Sequence, residues 1–224
     1  MKRLSDKTMQ KIRILQLVLT VALAALSCVK APPDSYRDGS LWLQHLGTLV
    51  LLLPLLADLK LRKFSLPVCI GLFVFTCLHI LGARYLYSDV PYARWAERLF
   101  GWRITMAAVH PNKFDRLVHL AFGLLLLPLF VQVSQYWFKV KNFMHALLLG
   151  WLFVQCFGML YEIFEWLLSV FMRQTVADGY NGQQGDLWDA QKDMFLALIG
   201  STITAAFLAL LHRFARKPAA TEDT

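Results

Sequence analysis

Residues 143–172 read FMHALLLGWLFVQCFGMLYEIFEWLLSVFM, an apolar run interrupted by two carboxylates, Glu162 and Glu165. A helix of this length crosses a hydrocarbon core about 30 Å thick. A transmembrane barrel strand would instead alternate residue by residue over roughly ten positions, and this run is solid. Five more blocks of the same kind lie at about 14–29, 41–57, 66–87, 117–138 and 194–212. The chain has 224 residues, 57% of them hydrophobic, and its mean hydropathy is +0.48. Six spans leave no length for a soluble domain. The predicted fold is all-α: one polytopic bundle of about six transmembrane helices filling residues 1–224.

The net charge of +8 raises nucleic acid as a partner, but the basic residues flank the apolar blocks and do not line one face, which excludes it. That distribution is the signature of retention of positive charge in the cytoplasm. Lys2, Arg3, Lys7, Lys11 and Arg13 precede the first block, Lys60, Arg62 and Lys63 follow the second, Lys139 and Lys141 follow the fourth, and Arg213, Arg216 and Lys217 follow the sixth. Both termini are therefore expected in the cytoplasm, and the bilayer of a bacterial inner membrane is the expected location. The connection from Arg84 to Arg116 is basic yet falls outside. Within it, residues 91–103 predict an amphipathic interfacial helix: Tyr92, Trp95, Leu99 and Trp102 recur at spacings of three and four, opposite Arg94, Glu97 and Arg98. The first block ends in Ala25-Leu-Ser-Cys28, a form near a lipoprotein cleavage site but with alanine where leucine is usual, and it is read as a span. The four cysteines, Cys28, Cys69, Cys77 and Cys156, all lie in apolar blocks without a Cys-x-x-Cys pair and read as packing residues.

Ionisable groups inside spans are costly and are kept for a purpose. Asp115 and His119 share one helix face at the start of the fourth block, with Arg116 between them. Glu162 and Glu165 stand one turn apart in the fifth. Asp186, Asp189 and Asp193 open the sixth at spacings that share a face. With cytoplasmic termini all of these fall on the external side, so an outward-opening polar cavity is expected between the last three helices. Asp115, His119, Glu162, Glu165 and Asp189 are the candidate catalytic groups. Glu162, Glu165, Asp186, Asp189, Asp193 and His119 are the candidate ligands of a divalent metal, the one cofactor the pattern implies. Arg116 is placed to meet an anionic group, and Tyr85, Arg94, Trp95 and Arg98 to gather substrate at the interface. Three chemistries remain open: metal-assisted hydrolysis, acid–base catalysis by closely packed carboxylates, and ion-coupled transport. A purely structural network, with Arg116 or Arg173 neutralising the glutamates, is the fourth alternative. Oligomeric state has no sequence signal.

Over essentially its whole length the chain resembles the YjdF-type bacterial inner-membrane proteins, which implies a multi-pass inner-membrane protein and no particular activity. Asp115-Arg116-Leu-Val-His119, then Glu162 or Glu165, then Asp186-Leu-Trp-Asp189 is also similar in order to the motifs of VanZ-like membrane proteins, across about residues 111–212. Arg116 stands where lysine is typical of that group, and Asp193 where other residues are common. This second resemblance implies a partner in the outer leaflet: a phospholipid, or a lipid-linked or wall-related molecule.

Overall fold

A computed structural model describes residues 5–29, 40–103, 112–172 and 186–216. Its described residues form seven helices: α1 (Asp6–Cys28), α2 (Ser40–Leu61), α3 (Leu66–Arg84), α4 (Tyr92–Phe100), α5 (Phe114–Tyr136), α6 (Phe143–Phe171) and α7 (Asp189–Arg216). All except α4 are long and apolar enough to cross a membrane. The all-α six-span reading holds, with shifted ends. α1 starts at Asp6 and not near residue 14, because Ser5 is extended and its hydroxyl accepts the Thr8 N–H, a serviceable N-cap that makes the polar Lys7–Lys11 stretch helical. α7 starts at Asp189 and not at 194, so the aspartates form its first turns. α3 stops at Arg84, and Leu86 and Tyr87 turn the chain back with positive φ angles of 49° and 55°. The helix expected over residues 91–103 is shorter than that, since Gly101 at φ 69° ends it in the left-handed conformation.

Lipid tails are as apolar as leucine, so helices in a membrane associate through close packing and hydrogen bonds. α5 lies at the centre, against α3, α6 and α7. It meets α7 where Gly123 faces Gly200: a Cβ on Gly123 would lie 2.2 Å from the Ala197 carbonyl oxygen, and one on Gly200 would lie 2.3 Å from that of Leu120. Only glycine permits two backbones so close. Further along α5, Pro128 has no N–H to give Leu124, four residues back. The Thr204 hydroxyl of α7 donates to that freed carbonyl at 2.9 Å, the kind of repair that lets proline stand in a span. Thr204→Val keeps the shape and removes the donor, and is expected to lower stability by about 1 kcal/mol, measured as the shift of the unfolding transition in detergent. Gln155 and Trp151 of α6 donate to Ser201 and Thr202 of α7, completing the three-helix unit.

At the opposite end of α1–α3, the structure shows a lock that reading charge as topology missed. Arg13 Nε donates to Asp58 Oδ2 at 2.5 Å, and Arg13 Nη2 to the Phe64 carbonyl. Asp58 Oδ1 accepts the backbone N–H groups of Lys63 and Phe64 at 2.7 and 2.9 Å, which fixes the α2–α3 turn. Gln132 exchanges two hydrogen bonds with Ser65 beside it. Asp58 and Gln132 are both engaged in holding this turn.

Candidate functional site

The first turns of α5, the last third of α6 and the first turns of α7 meet at one end of the bundle. α6 runs antiparallel to α5 through a tight connection in which Lys139 has φ 56° and Asn142 caps α6 by accepting from Met144 and His145. Glu162 lies nine residues before the end of α6, about 13 Å at helical rise. His119, five residues into α5, reaches it from the neighbouring helix.

Two adjoining groups result. In the inner one, His119 Nε2 stands 3.4 Å from Glu162 Oε1 and 3.7 Å from Asp115 Oδ1. Asp193 joins them, so that one ligand atom each from Asp115, His119 and Asp193 fall within 4.8 Å of one another. Glu162, Glu165 and Asp193 are buried in protein, Asp193 to 2% exposure, and the Tyr161 hydroxyl hydrogen-bonds to Glu165. Buried oxygens of Glu162 and Asp193 have no hydrogen-bond partner, an expensive condition in any apolar surrounding. In the outer group, Arg116 pairs with Asp186 and, at 3.4 Å, with Asp189. Lys192 donates to both Asp186 oxygens at 2.8 and 2.6 Å. Asp186 also accepts the Trp188 N–H, and these contacts, the Lys192 ammonium first, hold its carboxyl down at about 2.

The expected convergence is therefore present, with corrections. Arg116 does not neutralise the glutamates; it is taken by Asp186 and Asp189. Arg173 lies outside the described residues, as do His110, Lys2, Arg3 and Lys217. The cavity at this end is not the polar one expected between the last three helices. It holds about 340 Å³, its walls are almost wholly carbon, and it lies between α2, α3, α5 and α6. Asp115, His119 and Tyr161 open onto it from the cluster side, and His79 and Tyr87 from the other. Asp193, the α7 member of the cluster, is not among the residues that line the cavity.

Tyr85, Trp95, Arg94 and Arg98 are not brought to the cluster. Tyr85 meets the Trp95 ring edge-on, 5.9 Å between centroids, at the α3–α4 corner, while Arg94 and Arg98 are exposed. Tyr87 is the residue that sequence reading passed over. Its two-residue left-handed turn folds the ring over Gly82, and its hydroxyl lies 2.6 Å from His79 Nδ1. A bulky residue in a left-handed turn leaves no mark in hydropathy. His45 is hydrogen-bonded at both ring nitrogens, Nε2 to the Ser27 hydroxyl and Nδ1 to that of Thr48.

Six spans, a buried carboxylate–histidine cluster and an adjoining apolar cavity define a multi-pass helical membrane protein with ionisable groups gathered at one end of its bundle. The chain belongs to the family described as predicted membrane protein (DUF2238), whose profile matches residues 12–214. Inner membrane protein YjdF of Escherichia coli (strain K12) is 28% identical to it over 179 residues, covering 80% of this chain and 82% of the relative. The relative's location agrees with the inner-membrane placement expected from the spans and their flanking charge. No solved structure matches the chain.

Proposed function

We propose that this protein binds a membrane amphiphile, a phospholipid or lipid-linked molecule, with the hydrocarbon chain in the α2–α3–α5–α6 cavity and the polar head against the carboxylate–histidine cluster. One observation carries the reading: a cavity of about 340 Å³ with carbon walls that also presents Asp115, His119 and Tyr161. Small-molecule sites have this character, mostly apolar with a few convergent polar groups. The loop charges argue that the cluster end faces outward, which would put the head group in the outer leaflet. Tyr85 and Trp95, with Arg94 and Arg98 beside them, would then stand at the head-group layer, where aromatic and basic side chains favour lipid approach. Asp115, His119 and Glu162 would supply acid, base or ligand at the head group, and Glu165 and Asp189 would act from the flanks of the cluster. Engagement of Asp58 and Gln132 in the α2–α3 lock gives a continuous transport path no support.

The test is lipid retention. Protein purified in mild detergent is expected to carry a defined lipid by native mass spectrometry, and Val118→Trp, which fills the cavity from α5, is expected to lose it at least tenfold while still eluting as a folded species. Val118→Ala should retain the lipid. Equal lipid content in folded wild type and Val118→Trp would refute the cavity as the binding site. Altered stability without altered lipid content would leave the cluster a structural network.

A further inference from the structure

The geometry points to a divalent-metal centre held by Asp115, His119 and Asp193, with Glu162 closing its fourth side. The inference shares the cluster with the lipid reading but not the cavity, and each stands or falls on its own measurement.

Spacing is the first argument. His119 Nε2 lies 3.4 Å from Glu162 Oε1 and 3.7 Å from Asp115 Oδ1. Hydrogen bonds bring such atoms to about 2.7–3.2 Å. Neighbouring ligands of a tetrahedral ion with bonds near 2.1 Å stand about 3.4 Å apart. Helices α5 and α6 hold these atoms at the separation of ligands around an ion, too far apart to bond one another well, and α7 brings a carboxylate oxygen of Asp193 within 4.8 Å of Asp115 and His119.

The second argument is the unmet oxygen. Asp193 is 2% exposed, its Oδ1 has no hydrogen-bond partner, and a carboxylate oxygen of this residue lies within the 4.8 Å group formed with Asp115 and His119. Glu162 repeats the pattern at 6% exposure, with Oε1 unbonded. An ionised carboxylate so placed needs a positive partner. Among the described residues the cations touching the assembly are Arg116 and Lys192, and both are spent on Asp186 and Asp189. The inner carboxylates thus share a deficit of positive charge that a divalent cation would offset.

Ligand chemistry narrows the ion. Two or three carboxylate oxygens with one imidazole nitrogen form a mixed set that fits Zn²⁺ or Mn²⁺; Ca²⁺ asks for six to eight oxygens. The sequence pattern proposes six ligands: Glu162, Glu165, Asp186, Asp189, Asp193 and His119. Of these, Asp186 and Asp189 are committed to Arg116, and Glu165 to Tyr161. His119, Asp193 and Glu162 remain, and Asp115 is added. Because Asp115 and His119 also open onto the apolar cavity, a metal here would face a bound head group and could take a phosphoryl or carbonyl oxygen as a further ligand.

The experiment is elemental analysis of the full-length protein in detergent, as isolated and after chelation followed by reloading with Zn²⁺ or Mn²⁺. Close to one ion per chain is expected, with Mn²⁺-loaded protein showing nitrogen coordination by pulsed EPR. Asp193→Asn and His119→Gln should lose the ion, and Asp186→Asn, outside the set, should keep it. Wild-type protein that takes up less than about a tenth of an equivalent of either ion overturns the proposal, as does a folded Asp193→Asn that binds as well as wild type. The wild-type measurements decide even where a variant fails to fold. Protein that takes up neither ion on reloading yet still retains lipid would overturn this inference alone; metal-loaded protein without lipid would overturn the lipid reading alone.

Discussion

Gly200→Leu is expected to drive α7 away from α5 and to destabilise the bundle by roughly 3 kcal/mol or more, at the upper end of overpacking costs. The atoms in the way cannot yield. A Cβ at position 200 would stand 2.3 Å from the Leu120 carbonyl oxygen and 3.0 Å from the Leu124 nitrogen, both in the α5 backbone. The contact lies two turns from Asp193, so separating the helices there also draws Asp193 from Asp115 and His119. Gly158→Ala is the matched control, because its Cβ would meet only the Ala197 Cβ at an ordinary 4.0 Å. Thermal unfolding of the three proteins in one detergent checks the prediction: a large fall for Gly200→Leu beside little change for Gly158→Ala. Equal midpoints would mean that the α5–α7 contact contributes nothing.

Arg13→Ala should cost about as much, for a different reason. Removing one member of a buried ion pair strands the other, typically at 3–5 kcal/mol. Asp58 would keep the backbone N–H groups of Lys63 and Phe64 but lose its cation, and the Phe64 carbonyl would lose the Arg13 Nη2 donor. Arg13→Lys preserves the charge and forfeits the fork, so an intermediate loss is expected. A double-mutant cycle with Asp58→Ala isolates the pair, and a coupling energy near zero would show that the two residues act independently.

The six spans were legible because lipid, as the solvent, requires unbroken apolar blocks, a stronger signal than any propensity. Their ends were not, since Ser5 and the aspartates of α7 extend helices into polar sequence where hydropathy falls silent. The cluster was legible for the same reason as the spans: Glu162, Glu165 and Asp193 are conspicuous against an apolar background. Their partners were harder to read. The structural alternative offers Arg116 or Arg173 to the glutamates, but Asp186 and Asp189 lie within reach of Arg116 and claim it. Arg13 was counted as a topological charge when it is buried against Asp58, forty-five residues away. The cavity was misread in character and in position, because a gap between four helices is a property of their packing and has no sequence period.

The hydrogen bond from Thr204 to Leu124 also constrains biogenesis. α5 leaves the ribosome well before α7, with the Leu124 carbonyl left open by Pro128 and with Asp115 and His119 facing no partner on α7. The nascent chain must shelter these polar groups, in the insertion channel or against waiting helices, until α7 arrives. Closure of the cluster thereby waits for α7, and a chain stopped before residue 189 lacks both the repair and the third wall of the site.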